Sequence, residues 1–302
     1  MSKDALSRDA ISNDAAFIRN PVEEDPKLIK RRRTKNKAFV VALAIPVIIV
    51  LIVLGHMLVT IAVNGSKALN IDFFTQAQKP FGDPGGGVAN AILGSLIVVG
   101  LATVLSLPIS ILAALYLAEN AQKWLAKLVL ILVNALQGIP SIIVGIVIYT
   151  WLVIPMRGFS AFSGSVALAF IMIPLLTTNM REIFALVPGS YREAALSLGV
   201  PQWRTAFGVI LPAAKQGILS ATGLGVARIA GETAPLLFTA FGSPYISTAL
   251  GKPISALPLV IYEYIKSPYD DWHQKAWGAA FILVCFVFVM TVSMNLKKDK
   301  QA

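Results

Sequence analysis

Residues 181–212 read REIFALVPGSYREAALSLGVPQWRTAFGVILP, and this stretch decides what kind of molecule the chain is. It is too apolar for a solvated linker. Pro188 and Gly189 stop whatever precedes them. Ser190 is a candidate N-cap and Glu193, three residues on, completes a capping box, so the pattern predicts a helix from Tyr191 to Leu198. Gly199 suits the left-handed residue that follows a helix end, and Pro201 suits the first turn of a second helix. Two short helices at an angle then present Ala194, Ala195 and Leu198 beside Arg192, Trp203 and Arg204. Small and apolar groups among cations make a surface for another protein, and a rigid cap keeps such a turn in shape when that protein pushes on it.

Long apolar runs flank this stretch on both sides. Windows of about 19 residues place spans at 38–63, 90–117, 126–152, 164–179, 213–240 and 276–296. Each is a helix able to cross a hydrocarbon core of roughly 30 Å, so the fold class is an all-α polytopic membrane protein with six transmembrane helices. The fourth span is short and carries Pro174, which marks it as broken, tilted or buried in protein. Pro108 interrupts the second span, and Gly138, Ile139 and Pro140 interrupt the third. Composition agrees: 56% of the 302 residues are apolar, mean hydropathy is +0.71 and charged residues are 14%, against about 25% in soluble domains. Disordered and disulfide-built classes are excluded. The single cysteine, Cys285, lies in an apolar stretch that predicts a buried structural side chain.

The basic residues set the orientation. Lys27, Lys30, Arg31, Arg32, Arg33, Lys35 and Lys37 precede the first span, which places the N-terminus in the cytoplasm by the positive-inside rule. Six crossings then put the 119–125 loop, the 180–212 loop and the tail inside, with Lys123, Arg181, Arg192, Arg204, Lys297, Lys298 and Lys300. Topology and anionic lipid headgroups thus account for a net charge of +10, and no nucleic-acid partner is called for. The chain divides into a cytoplasmic arm (1–37), a membrane domain (38–296) and a cytoplasmic tail (297–302). The first run reads as an uncleaved anchor, and residues 1–26 as a mobile tail.

Arg228 and Glu232 are the charges deep in an apolar span. An isolated charge at the bilayer centre costs at least about 2.5–3.5 kcal/mol, so such groups face a polar path or each other. A spacing of four places both on one helix face. One reading makes them a neutralised pair that holds the bundle together; the other has Arg228 line an anion path while Glu232 positions it. An arginine fork donates two hydrogen bonds to an oxyanion. Asn134, Gln137, Thr177, Thr178 and Asn179 are further polar groups for a path or for interhelical bonds, and Gly217, Gly223, Gly225 and Gly231 predict close helix approach.

Glu193-Ala194-Ala195, Gly199 and Val209-Ile210-Leu211-Pro212 together resemble the EAA signature of ABC importer permeases, with Val209 where that family more often has Ile. Residues 227–237, ARIAGETAPLL, and 86–95, GGVANAILGS, are similar to stretches of the phosphate importer permeases. The resemblance covers roughly 38–296 and implies a type I importer fold with a coupling-helix loop at 180–212. It implies residues 192–195, Leu198, Gly199, Pro201 and Trp203 as the ATPase-coupling set. It also implies a PstC-type second permease, two copies of a PstB-type ATPase that bind the ATP and magnesium, and a periplasmic phosphate-binding protein. On this reading the chain is a permease subunit in the bacterial cytoplasmic membrane that moves phosphate inward and carries no cofactor of its own.

Other readings remain at this stage: a permease for another oxyanion, a homodimer, a passive channel or an ion-driven carrier. A hydrolase lacks a nucleophile and base pair, and there is no HExxH, GxSxG or Walker A pattern. Residues 82–87, GDPGGG, have no preceding strand and read as a flexible elbow rather than a phosphate cradle. His56 and His273 have no companions at metal-ligand spacing.

Overall fold

A computed structural model describes residues 26–80, 83 and 85–299. Residues 1–25 of the expected tail lie outside them, as do Gly82, Pro84 and residues 300–302. The chain divides into two compact units, one ending at Val59 and the other beginning at Thr60. Helix α1 (Pro26–Ser66) runs through that boundary, and its residues 39–43 and 45–59 are exposed.

Eleven further helices follow among the described residues: α2 (Ile71–Thr75), α3 (Ala89–Glu119), α4 (Trp124–Gln137), α5 (Ser141–Met156), α6 (Ala161–Ala185), α7 (Gly189–Ser197), α8 (Gln202–Ala213), α9 (Lys215–Ala230), α10 (Ala234–Thr239), α11 (Leu257–Ile265) and α12 (Asp270–Asp299). Helices α1, α3, α6 and α12 are long and apolar enough to cross a membrane. The bent pairs α4–α5 and α8–α9 bring the number to six if each pair counts as one span.

Proline explains where the spans differ from expectation. The third is two helices bent by 101°, because Pro140 offers no N–H and biases Ile139 away from the helical region. The fifth is not continuous over 213–240. Helices α8 and α9 meet at 70°, α9 stops at Ala230, and α10 restarts with Pro235 in its first turn. Within α5 and α8 the chain widens into π-turns at Tyr149–Val153 and Ala206–Ile210, just before Pro155 and Pro212. Each proline leaves the carbonyl four residues earlier without its usual donor, and wider bonds form nearby, from Ile154 N–H to Tyr149 O and from Leu211 N–H to Ala206 O.

The fourth span is neither short nor broken. Helix α6 has 25 residues, about 37 Å, and Pro174 sits inside it. It is buried in protein, as one of the alternatives held, and α3 covers it. A stripe on α3 at a spacing of four, Ala102, Ser106, Ser110 and Ala114, is fully buried, which lets the backbones approach closely. Ser110 Oγ donates to Ile173 O at 3.2 Å. Helix α9 packs on another side of α6, where a Cβ added at Gly225 would lie 2.9 Å from both Leu176 and Met172, and one at Gly217 2.4 Å from Ile183. Gly231 instead caps the end of α9.

At the end of the bundle where α3 and α6 begin, the 240–256 segment folds back onto both helices. Asn90 Nδ2 donates to Ser243 O at 2.7 Å and Leu257 N–H donates to Ser95 Oγ at 2.8 Å. Gly94 lies so close to this segment that an added Cβ would sit 1.8 Å from Ser255 O. Gly82 and Pro84 of the glycine-rich stretch lie outside the described residues, while its last residue is held in place: Gly87 N–H donates to Ala77 O, and a Cβ on Gly87 would be 2.3 Å from Asp72 O. Cys285 is exposed rather than buried: on α12 its neighbours Leu283 and Phe286 pack against the core and Cys285 lies on another face.

Candidate transport and coupling sites

Residues 189–213 fold as two short helices, α7 and α8. The capping box does not form. Helix α7 begins at Gly189 with Pro188 at the cap and no side-chain cap bond, which places Ser190 inside the helix. Pro188 already has the extended ψ of 136° that a cap position needs, so the start moves upstream. Leu198 caps the other end and Gly199 adopts φ +77°, as its position predicts. Pro201 sits at the N-cap of α8.

The face this builds is apolar at its tips. Leu198 is 82% exposed, Leu186 81% and Trp203 62%, with the Arg204 guanidinium 5.1 Å from the Trp203 ring centre. Glu193 and Ala194 are exposed. Ala195, expected on that surface, is buried: it is the residue of α7 that packs inward. Arg192 also turns inward. Its Nε donates to Glu119 Oε1 at 2.8 Å and its Nη2 donates to Phe184 O at 3.4 Å. With side chains 25% and 30% exposed, this pair contributes about 0.2–1 kcal/mol. Glu119, missed in the sequence, lies 73 positions away and is recognisable only once the helices are assembled.

The intramembrane charges are arranged differently from a face-sharing pair. Arg228 is in the last turn of α9 and exposed, whereas Glu232 is half-buried beyond the helix end. Among the described residues no ion pair joins them. The reason is the break at Gly231: the spacing of four has helical geometry only if the helix continues.

Gln137, the last residue of α4, donates through Nε2 to Thr178 Oγ1 at 2.7 Å and to Pro174 O at 3.3 Å, bracing the 101° bend. Asn134 is exposed on α4. Thr177 is fully buried and its hydroxyl has no hydrogen-bond partner. Its neighbour four residues back, Ile173, already accepts from Ser110. The chain does not gather these groups with Arg228. Thr178 and Pro174 face α4, while Leu176 faces α9, and two residues turn a helix by about 200°. The Gln137–Thr178 contact and the α9 packing surface therefore lie on different sides of α6. Among the described residues no cluster of His, Cys, Asp or Glu is placed to hold a metal.

Residues 106–298 match the model of the binding-protein-dependent transport system inner membrane components. The chain belongs to that family. It is 40% identical over 266 residues to the phosphate transport system permease protein PstA of Haemophilus influenzae, covering 88% of this chain and 94% of the relative. The same description is carried by a Xylella fastidiosa relative, 42% identical over 272 residues (89% and 94% covered). A Methanocaldococcus jannaschii relative described as a probable PstA is 34% identical over 275 residues (89% and 96%). Among solved structures, an inward-facing MetNI methionine ABC transporter chain superposes with a TM-score of 0.55 at 18% identity, covering 69% of this chain and 91% of that one. This likeness bears on the fold: the family's helical membrane architecture is the one described above.

Proposed function

We propose that this chain is the PstA-type permease subunit of an ATP-driven importer that moves inorganic phosphate into the cytoplasm. The observation that carries the reading is similarity over 88–89% of the chain to relatives described as phosphate permeases. ATP and magnesium are bound and hydrolysed by two PstB-type ATPase subunits, one of which docks on the Leu186, Leu198 and Trp203 face. A PstC-type permease supplies the other half of the pathway, and a periplasmic phosphate-binding protein delivers the anion to the outer face. Both ends of the chain are cytoplasmic in the inner membrane, with 1–37 as an arm, 38–296 as the membrane domain and 297–302 as a tail.

Arg228 supports a role toward the anion, because it is an exposed guanidinium within a span. Among the described residues no carboxylate forms an ion pair with it, so its fork is available to an oxyanion, in a low-dielectric setting where attraction is strong. Glu232 sits where the backbone unwinds and supplies an acceptor for the proton that phosphate carries and sulfate lacks near neutral pH. Uptake of labelled phosphate and sulfate into vesicles containing the chain with its partner subunits tests this. Phosphate accumulates and excess sulfate fails to compete; equal uptake of both anions overturns the reading.

A further inference from the structure

We propose that Glu119 and Arg192 form the tether by which movement of α7 is passed to the membrane helices. This rests on the reading of 180–212 as the ATPase-coupling loop. Helix α7 has nine residues, too few to persist on its own, and among its described residues Ala195 is the buried one. Its hold on the bundle is narrow: the short link from α6 through the buried Val187, the Ala195 contact, the turn through Gly199 into α8, and the Arg192 side chain, which is the one of these that reaches α3. That side chain reaches two membrane helices at once. Nε donates to Glu119, the last residue of α3, while Nη2 donates to the Phe184 carbonyl in the last turn of α6. Helices α3 and α6 are packed along the fully buried Ala102 to Ala114 stripe, so a pull on either moves both.

Glu119 stands where local helix electrostatics disfavour it. A carboxylate at a helix C-terminus meets the negative end of the dipole and is disfavoured there. The Arg192 cation answers it, and the same cation suits the C-terminal turn of α6. A local rule broken with a specific compensating partner marks a site with a task. Lysine cannot take over the arrangement, since it lacks a planar fork with donors set in two directions.

The test uses the full complex in proteoliposomes with inorganic phosphate, in a Cys285→Ser background. It follows ATP hydrolysed per phosphate imported, and the distance distribution between spin labels at Gln122 and Ser197. Glu119→Gln and Arg192→Lys raise the ATP-to-phosphate ratio by roughly threefold or more and broaden the label distribution, with abundance unchanged. The exchange Glu119→Arg with Arg192→Glu restores both readouts at least in part. If Glu119→Gln leaves the ratio and the distribution as in the parent, the tether is refuted. If the parent complex hydrolyses ATP without importing phosphate, the cargo assignment fails instead. The label distribution then decides the tether alone: broadening in Glu119→Gln upholds it and no change refutes it.

Discussion

Replacing Gly94 by alanine adds one methyl group at the tightest contact between α3 and the 240–256 segment. The added carbon would sit 1.8 Å from Ser255 O, 2.9 Å from Ile254 Cγ1 and 3.0 Å from the Ser255 carbonyl carbon. Backbone atoms cannot swing aside as a side chain does, and this backbone is pinned two residues on by the bond from Leu257 N–H to Ser95 Oγ. Overpacking of this kind costs about 1–3 kcal/mol, offset by about 0.5–1 kcal/mol from removing a helix-interior glycine. Gly100, six residues along α3, has nothing within 4 Å of an added Cβ. Gly100→Ala should therefore keep the helix gain alone. With roughly 2–4 °C per kcal/mol for a domain of this size, Gly94→Ala should melt several degrees below Gly100→Ala. Fluorescence-detected size exclusion of the detergent-solubilised complex over a temperature series measures the difference. Equal midpoints for the two variants would refute the claim that the 240–256 segment is locked against α3.

Three other expectations follow from the site geometry. Gly199→Val places a β-branched residue at φ +77°, in open space, so its penalty of about 1–2 kcal/mol is purely conformational; phosphate uptake should fall at normal membrane abundance, and wild-type uptake would count against the docking account. Tyr264 is held well above the usual tyrosine range by burial first, then by Glu263 and Asp271. Because its folded value is raised, the stability it lends is complete below its unfolded value of 10.0 and is lost as pH rises beyond it, by about 1.4 kcal/mol per unit. Tyr264→Phe should flatten the alkaline limb of a melting-temperature profile, and an unchanged limb would remove this group from the account. Arg228→Lys should impair phosphate uptake although charge is kept, and Glu232→Gln should weaken discrimination against sulfate; wild-type transport by Arg228→Ala would make the charge structural.

Hydropathy made the apolar helices legible, four that stand alone and six spans if each bent pair is one, and the EAA-like stretch made the two short helices legible, because both depend on local composition. The breaks were legible in part. Pro140 announced the bend in α4–α5, but Pro174 suggested a break that α6 does not have, since burial against α3 holds that helix continuous. The pairing of Arg228 with Glu232 failed for a local reason, Gly231 followed by Pro235, whose effect a spacing rule ignores. Glu119, Ala195 and the packing of Ile254–Ala256 against α3 were out of reach, because their roles arise from contacts between positions far apart in the chain. The capping box failed on a finer point: Pro188 can cap a helix through backbone shape alone.

The burial of α6 bears on how the chain is made. It is the least apolar of the four long candidate spans and the one most enclosed by protein. Its Ser163, Ser165 and Thr177 side chains are shielded from lipid in the finished bundle. A nascent α6 leaving the translocation machinery alone would bring those hydroxyls into contact with acyl chains. Helix α3 precedes it in synthesis and is more apolar, so it can wait in the bilayer as a template. Direction of translation and order of hydropathy agree, and the central helix enters the membrane beside the surface that will cover it.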